Sequence, residues 1–321
     1  MDLYRAFANL EPGASTSEFV AIALSERRRD FLAKTDGGCP VFLLHDSSAS
    51  TYTPAVALKN VSVQFHSTCR VTTPAGAIDG QFAVVSCDSA VPELFELFVR
   101  CFAATVERLP DSAGTRNLET CILELLDLFR ALSRPSSREV TGLWGELFVI
   151  SASRDISGAL NAWRADQFER FDFSWADSCL EVKATVREQR QHDFAVEQLM
   201  CPSGGKGYVV SLLLQPLSGG LGVMDLARGI EAAVVSEPAL RQKLWENVGA
   251  ALGSDFSDRL DRRFDHSFAK RNLSIFAMSD VPVPSAPNDP RISNIRFRVD
   301  LTTVHSSLAG APDVLLGRLI A

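Results

Sequence analysis

Long hydrophobic runs, paired cysteine motifs and an excess of positive charge are all missing from this 321-residue chain. No apolar run reaches the roughly 18 residues that a membrane-spanning helix needs, so we do not expect this chain to be a membrane protein. The N-terminus has no basic stretch followed by an apolar one, and we expect no secretory signal. The seven cysteines include no CxxC pair, and their number is odd. This usage is typical of reduced thiols in a cytoplasmic protein.

The charge balance limits the kinds of partner. The net charge is −7, and hydrophobic residues make up 46% of the chain, which is ordinary for a soluble globular protein. An acidic chain does not bind nucleic acid through the charge of its whole surface. A local basic groove, or a cluster of carboxylates that binds a metal ion, stays possible.

The length predicts about two domains. A polar break at 133–138 contains Pro135 and is the expected boundary, which gives an α+β domain over 1–135 and a second domain over 136–321. In the first domain we expect a helix over Ser17–Lys34, with the arginines Arg27–Arg29 on a solvated face. The other expected elements there are strands at 40–44, 61–65 and 82–85 and helices at 92–108 and 117–132.

For the second domain the sequence predicts a mixed α/β layer fold, because expected helices and strands alternate along it. The strand at 208–214 is apolar throughout, which is typical of a strand covered on both faces. The other expected elements are helices at 137–152, 194–200, 222–235 and 238–251, and strands at 168–173, 179–186, 273–278 and 291–301.

One candidate carboxylate lies on the helix over 137–152. Glu146 borders the apolar side of this helix, so its side chain would be desolvated and would need a partner. Gly142 and Gly145 weaken the same helix, which suggests that a neighbour approaches its backbone closely. A glutamate alone at such a position more often lies at the rim of the helix and bonds a nearby arginine or backbone amide.

Two strands of the pattern present further charged side chains. Asp172 projects from the strand over 168–173, opposite an aromatic face. In the strand over 179–186, strict alternation places Glu181 and Lys183 on one face, about 6.6 Å apart at 3.3 Å per residue. A Glu-x-Lys triplet alone is most often a surface ion pair. If the two strands are antiparallel neighbours, however, Asp172 and Glu181 lie within reach of one ion.

Carboxylates on a shared face suit a hard divalent cation. Mg²⁺ prefers carboxylate oxygens and keeps bound waters, and the backbone carbonyl of Val182 could add another oxygen. Such an ion polarises a phosphodiester and lowers the pKa of a bound water. A lysine beside it can orient that water or neutralise charge in the transition state. An accidental grouping in an unrelated α/β protein is the open alternative.

The segments GLWGEL, FDF, LEVKAT and HDFAVEQL resemble the PD-(D/E)xK phosphodiesterase superfamily. They resemble most closely a bacterial PD-(D/E)xK family whose members tend to be encoded beside restriction–modification or anti-phage genes. The resemblance implies an α/β fold with a restriction-endonuclease-like core over about 137–215: a helix, a mixed three- to four-stranded sheet, a helix and a strand. An N-terminal α+β domain and a C-terminal α/β extension would flank this core. Phe171 replaces the superfamily's proline before the aspartate, which makes the short motif less specific.

The same resemblance implies roles for individual residues. Asp172 matches the motif aspartate, Glu181 the second acidic ligand and Lys183 the catalytic lysine. Glu146 matches the acidic residue of the preceding helix. Mg²⁺ is implied as the cofactor, with Mn²⁺ as a substitute. We also expect two further groups to take part in metal binding: the carbonyl of Val182 as a ligand, and Glu146, which would hold a ligand water or a second ion.

Accessory positions follow the motif strand. The resemblance includes Gln198 and His192, and Gln198 would lie near the metal site. The equally weighted alternative is a helix N-terminus, with Asp193 as its cap and His192 outside it. Phosphate contacts need clustered basic side chains, and Arg187 and Arg190 are the first candidates, together with His192. Two further basic clusters are Arg259, Arg262, Arg263, Lys270 and Arg271, and Arg291, Arg296 and Arg298.

These observations together predict a Mg²⁺-dependent DNA endonuclease, a hydrolase of a prokaryotic restriction or anti-phage system. It would act on DNA in the cytoplasm, alone, as a homodimer or with other subunits of a defence complex. The alternative from another class is a catalytically inactive scaffold or DNA-binding subunit with the same fold. The acidic charge favours that alternative, whereas the intact Asp, Glu and Lys set argues against it.

Overall fold

The computed structural model describes residues 2–13, 15, 17–48, 52–58, 60–87, 92–132, 139–164, 169–201, 205–253, 262–285, 291 and 294–306. The chain divides into two compact units, Met1–Ser136 with Ser236–Ser257 and Ser137–Val235 with Asp258–Ala321. The first unit thus takes in residues 236–257, which the sequence places in the second domain. Within the described part of the chain, no helix is long and apolar enough to cross a membrane.

The first unit is built on a six-stranded sheet with the order β1-β2-β3-β6-β5-β4. Strand β1 also pairs in parallel with β5, so the sheet closes on itself. Its strands are β1 (Glu18–Ala23), β2 (Phe31–Lys34), β3 (Pro40–His45), β4 (Val56–Ala57), β5 (Val61–Thr73) and β6 (Gly76–Cys87). Its helices are α1 (Leu3–Ala8), α2 (Pro92–Val106), α3 (Thr115–Leu132) and α7 (Pro238–Leu252).

The expected helix over Ser17–Lys34 is wrong, because this segment forms β1 and β2. Burial along the start of β1 alternates, with Phe19 and Ala21 facing the core, which is the period of a strand and not of a helix. The arginines between the strands are not all solvated either. Arg28 is buried and forms an ion pair with Asp30. The tertiary pairing of the strands therefore overrides the helical reading of this segment.

The two helices predicted at 92–108 and 117–132 are confirmed as α2 and α3. Helix α7 packs against both of them within the first unit. At Gly249 of α7, an added Cβ would meet Leu128 Cδ1 at 2.9 Å and Leu97 Cδ2 at 3.3 Å. This close approach explains why residues 236–257 belong to the first unit.

The second unit contains a four-stranded mixed sheet of order β12-β10-β8-β7 and a separate antiparallel pair, β9 and β13. Strands β8 and β10 are parallel, and the outer strands are antiparallel to them. Its strands are β7 (Phe173–Ser174), β8 (Ser178–Thr185), β9 (Gln191–Ala195), β10 (Lys206–Leu213), β11 (Pro216–Leu221), β12 (Leu273–Ala277) and β13 (Arg296–Asp300). Its helices are α4 (Val140–Ala152), α5 (Ile156–Ala162), α6 (Val223–Ala233) and α8 (His266–Arg271).

Helix α4 lies against β8, and Gly145 is the point of close approach. A Cβ added there would lie 3.1 Å from Ala184 Cβ and 3.2 Å from Val182 Cγ1. The sequence predicts a close approach to the helix backbone at Gly142 as well. This prediction is wrong, because a Cβ added at Gly142 would meet nothing within 4 Å. The fold is thus mixed α/β with several sheets, and consistent with the expected nuclease-like fold.

The elements after β8 differ from the sequence expectation. The helix expected at 194–200 begins only at Val196, as a 3₁₀ turn over Val196–Leu199. Phe194 belongs to β9, where it pairs with Phe297 of β13. Asp193 therefore does not cap a helix, and this alternative is wrong. It forms an ion pair with Arg298, its register partner.

Candidate active site

Side chains of the second unit line a pocket of about 230 Å³. They come from α4, from the loop after α5, from the residue before β7, from β8 and from the 3₁₀ turn. The pocket brings together Glu146, Asp172, Glu181, Val182, Lys183 and Gln198. All the residues for which the sequence predicts a catalytic or metal-binding role therefore meet at one place.

Strand pairing explains how the two acidic positions meet. In the antiparallel pair β7 and β8, Phe173 lies opposite Leu180. Residues 169–172 of the strand expected at 168–173 are not in a strand, and Asp172 lies in a bend one residue before β7. The Val182 amide donates a hydrogen bond of 2.8 Å to Asp172 Oδ2, which fixes that carboxylate against β8.

Gln198 connects the glutamate and the lysine of β8. Its Nε2 donates to Glu181 Oε1 at 2.5 Å, and its Oε1 accepts from Lys183 Nζ at 3.2 Å. The lysine also contacts Glu181 Oε1 directly at 2.9 Å. Its Nζ lies 5.0 Å from the centroid of the Phe194 ring. These contacts hold the ammonium group of Lys183 at the pocket wall.

Glu181 is the most unusual carboxylate of the pocket. It is buried, with 2% of its surface exposed. Burial, together with the charge of Asp172, raises the pKa of Glu181 well above its ordinary value. Its second oxygen, Oε2, is buried and has no hydrogen-bond partner. Such an atom is costly unless a ligand satisfies it, so it indicates a binding site.

Sequence reasoning missed two residues of this site, Trp163 and Arg164. The Arg164 guanidinium forms ion pairs with Glu146 Oε1 at 3.0 Å and Asp172 Oδ1 at 2.8 Å. The Trp163 indole N–H donates to Glu146 Oε2 at 2.7 Å. Neither belongs to a spacing motif, because they follow α5 in a loop. Their backbone runs beside Phe173, to which Trp163 forms an antiparallel bridge.

The residues of the pocket fit a divalent cation by their chemistry. Among the described residues that line the pocket, three buried carboxylates face two cationic side chains, Arg164 and Lys183. Oxygen donors are those that Mg²⁺ prefers, and the unpartnered oxygen of Glu181 offers one. Within the described ranges, no three His, Cys, Asp or Glu side chains are grouped closely enough to hold a metal ion as they stand. Arg164 lies between two of the three carboxylates.

The residues expected to bind nucleic acid differ in accessibility. Arg187 is exposed beside the end of β8. Arg190 is half-buried and donates to the backbone oxygens of Ser211 and Asn272. His192 is buried and bonded to the Ser211 hydroxyl, and burial with the charge of Lys183 lowers its pKa to about 4. A neutral, buried imidazole is not available to a surface-bound nucleic acid, which contradicts its expected role.

The two further basic clusters are partly neutralised. Arg263 forms an ion pair with Asp225 at 2.5 Å, and Arg298 forms one with Asp193 at 2.7 Å. Arg262 and Arg296 are exposed. Arg259 lies outside the described residues. Arg262 and Arg296 are therefore accessible to a phosphate backbone.

A model of one protein family, described as "Putative PD-(D/E)XK family member, (DUF4420)", matches residues 5–302. The chain belongs to this family. The expected PD-(D/E)XK resemblance is therefore confirmed, and it includes both units. Membership of this PD-(D/E)XK family indicates a nuclease-like fold. No curated protein and no solved structure matches the chain.

Proposed function

We propose that this PD-(D/E)XK chain is a DNA endonuclease that needs a divalent metal ion to hydrolyse phosphodiester bonds. One observation carries the proposal: three buried carboxylates and a lysine meet in one pocket, around an oxygen without a partner. A buried excess of acid costs stability unless a cation binds, and it marks functional sites.

Asp172 and Glu181 would hold Mg²⁺ or Mn²⁺, with the carbonyl oxygen of Val182 as a further ligand. A divalent ion bound there supplies a water of lowered pKa and polarises the phosphodiester. Glu146 completes the acidic set from α4. Its contacts with Trp163 and Arg164 keep its carboxylate turned into the pocket.

Lys183 is the residue that acts on the reacting water. Its ammonium group is fixed by Glu181 and Gln198 and lies over the Phe194 ring. A fixed cation at this point orients the attacking water and stabilises the charge that builds up on the phosphate. Gln198 positions both side chains through its amide. The proposed role of Gln198 is therefore orientation of the glutamate and the lysine.

DNA is the expected substrate of a nuclease-like family, and exposed basic residues such as Arg187 suit its phosphates. We place the enzyme in a prokaryotic restriction or anti-phage system, as a homodimer or with other subunits. All seven cysteines are free thiols, in keeping with a reducing, cytoplasmic setting.

A plasmid-nicking assay tests the proposal. The full chain is incubated with supercoiled plasmid in Mg²⁺, in Mn²⁺ and in EDTA, and nicked and linear products are measured over time. We expect cleavage only with a divalent ion. Lys183→Ala should lower the rate by at least about 100-fold, because it removes a preorganised charge at the reacting phosphate.

Lys206→Ala is the matched control. Lys206 is exposed at the start of β10 and outside the pocket, so its loss removes the same charge without touching the site. Its cleavage rate should equal that of the wild type. Equal rates for wild type and Lys183→Ala would contradict the assigned site. Binding of DNA without any cleavage would favour the inactive scaffold.

A further inference from the structure

Arg164 occupies the space between two of the proposed catalytic carboxylates. A single guanidinium nitrogen, Nη2, lies 3.0 Å from Glu146 Oε1 and 2.8 Å from Asp172 Oδ1. Both carboxylates are buried, each with 3% of its surface exposed. A bridging position between two buried carboxylates is one that a cation would otherwise take.

The surrounding backbone fixes this arrangement. The Arg164 amide donates to the Asp172 carbonyl at 2.9 Å, so the arginine is anchored beside the aspartate. The other oxygen of each carboxylate has its own donor, Trp163 for Glu146 and Val182 for Asp172. Each of these oxygens keeps a second lone pair, so Asp172 can still bind one ion, but an ion placed between the two carboxylates would have to displace the guanidinium. The pair is therefore built around a guanidinium.

The charges of the pocket favour the same conclusion. Among the described lining residues, three ionised carboxylates, two cationic side chains and one divalent ion sum to a single positive charge, which one phosphodiester neutralises. A second divalent ion would leave an excess of positive charge. Glu139 at the rim is exposed, and solvent screens its charge.

We propose that Arg164 is a catalytic residue that replaces a second divalent cation. It holds Glu146 and Asp172 in place and donates to the scissile phosphate, and the site binds one metal ion at Asp172 and Glu181. A guanidinium has five N–H donors in a planar fork, enough to hold carboxylates and contact a phosphate together. Arg164 lines the pocket, and 15% of its side chain is exposed there. This inference rests on the proposed metal-dependent hydrolysis.

Calorimetric titration with Mn²⁺ alone tests the inference without DNA. We expect one ion per chain for the wild type and two for Arg164→Met, because the variant opens the position between Glu146 and Asp172. Adding Glu146→Gln to that variant should return the number to one. Arg164→Lys keeps the charge and should bind one ion. Arg170→Met, at an exposed arginine outside the pocket, should also bind one.

Cleavage rates supply the second readout. The wild-type rate should saturate as the first Mn²⁺ binds. The rate of Arg164→Met should be at least about 100-fold lower and should rise only over the Mn²⁺ range that fills the second position. Circular dichroism checks that each variant is folded. If Arg164→Met does not fold, Arg164→Lys provides the test. This variant should bind one ion, and it should cleave faster than Arg164→Ala at equal Mn²⁺.

Each outcome is decisive. Two ions on the wild type, or one ion with unchanged affinity on Arg164→Met, overturns the role of Arg164 and leaves metal-dependent cleavage intact. If Arg164→Met does not fold, an Arg164→Lys variant that binds two ions overturns it. A wild type that binds no Mn²⁺, or whose binding survives Glu181→Gln, overturns both the metal site and the inference built on it.

Discussion

Each unit of the chain buries carboxylates, and Asp30 of the first unit is satisfied differently from the carboxylates of the pocket. In the first unit Asp30 is 1% exposed and faces one arginine. Arg28 binds it through two nitrogens, at 2.5 Å and 3.0 Å, and the His45 amide donates to it at 2.9 Å. Both carboxylate oxygens are therefore bonded, and one positive charge balances one negative charge.

In the pocket of the second unit, as far as the structure describes it, three buried carboxylates share two cationic side chains. Glu181 keeps one oxygen without a partner, and its pKa is raised by burial and by Asp172. This comparison separates a structural ion pair from a binding site. A structural ion pair has balanced charges and fully hydrogen-bonded oxygens, whereas a binding site buries an excess of one charge.

The largest loss of stability is expected when the charge balance between Arg28 and Asp30 in the first unit is broken. Asp30→Asn leaves Arg28 buried without its counter-charge, which should lower the free energy of unfolding by about 3–5 kcal/mol. Urea unfolding of the full chain, followed by circular dichroism, measures the loss. The control is Asp111→Asn, because Asp111 forms an exposed ion pair with Arg27 and should cost less than about 1 kcal/mol. Equal losses in the two variants would refute the structural role of the buried pair.

The second unit should respond to a metal ion instead. With Mn²⁺ at about 100 times its Kd, the wild type should gain about 2.7 kcal/mol in unfolding free energy. Glu181→Gln removes the carboxylate with the unpartnered oxygen, and it should gain nothing. Denaturant unfolding with and without Mn²⁺ measures both. Glu188→Gln, at an exposed glutamate outside the pocket, should gain as much as the wild type. The same gain in Glu181→Gln would place the ion elsewhere.

The smallest expected changes in stability come from two glycines of α4, one packed against β8 and one facing open space. Gly145→Ala puts a methyl group against β8 and should cost about 1–3 kcal/mol through overpacking. Gly142→Ala meets open space and should gain up to about 1 kcal/mol through helix propensity. Thermal unfolding of the two variants measures the difference. A loss of stability in Gly142→Ala would contradict the open side of α4.

Local patterns were informative for the site and misleading for the start of the chain. Strand alternation is a property of neighbouring residues, so Glu181 and Lys183 could be placed on one face from the sequence. For Ser17–Lys34 the local pattern favoured a helix, whereas pairing of β1 with β2 and β5 makes it extended. Long-range pairing decides such segments, because the strands that compete for them lie far away in the chain.

The sequence by itself identified Glu146, Asp172, Glu181 and Lys183 as candidate site residues, and it identified the strand that carries the last two. Only the tertiary structure decided that Arg164 bridges Glu146 and Asp172, and that one oxygen of Glu181 is left unpartnered. The physical reason is that hydrogen bonding and charge balance depend on groups from separate elements. Their distances are set by packing and not by spacing along the chain.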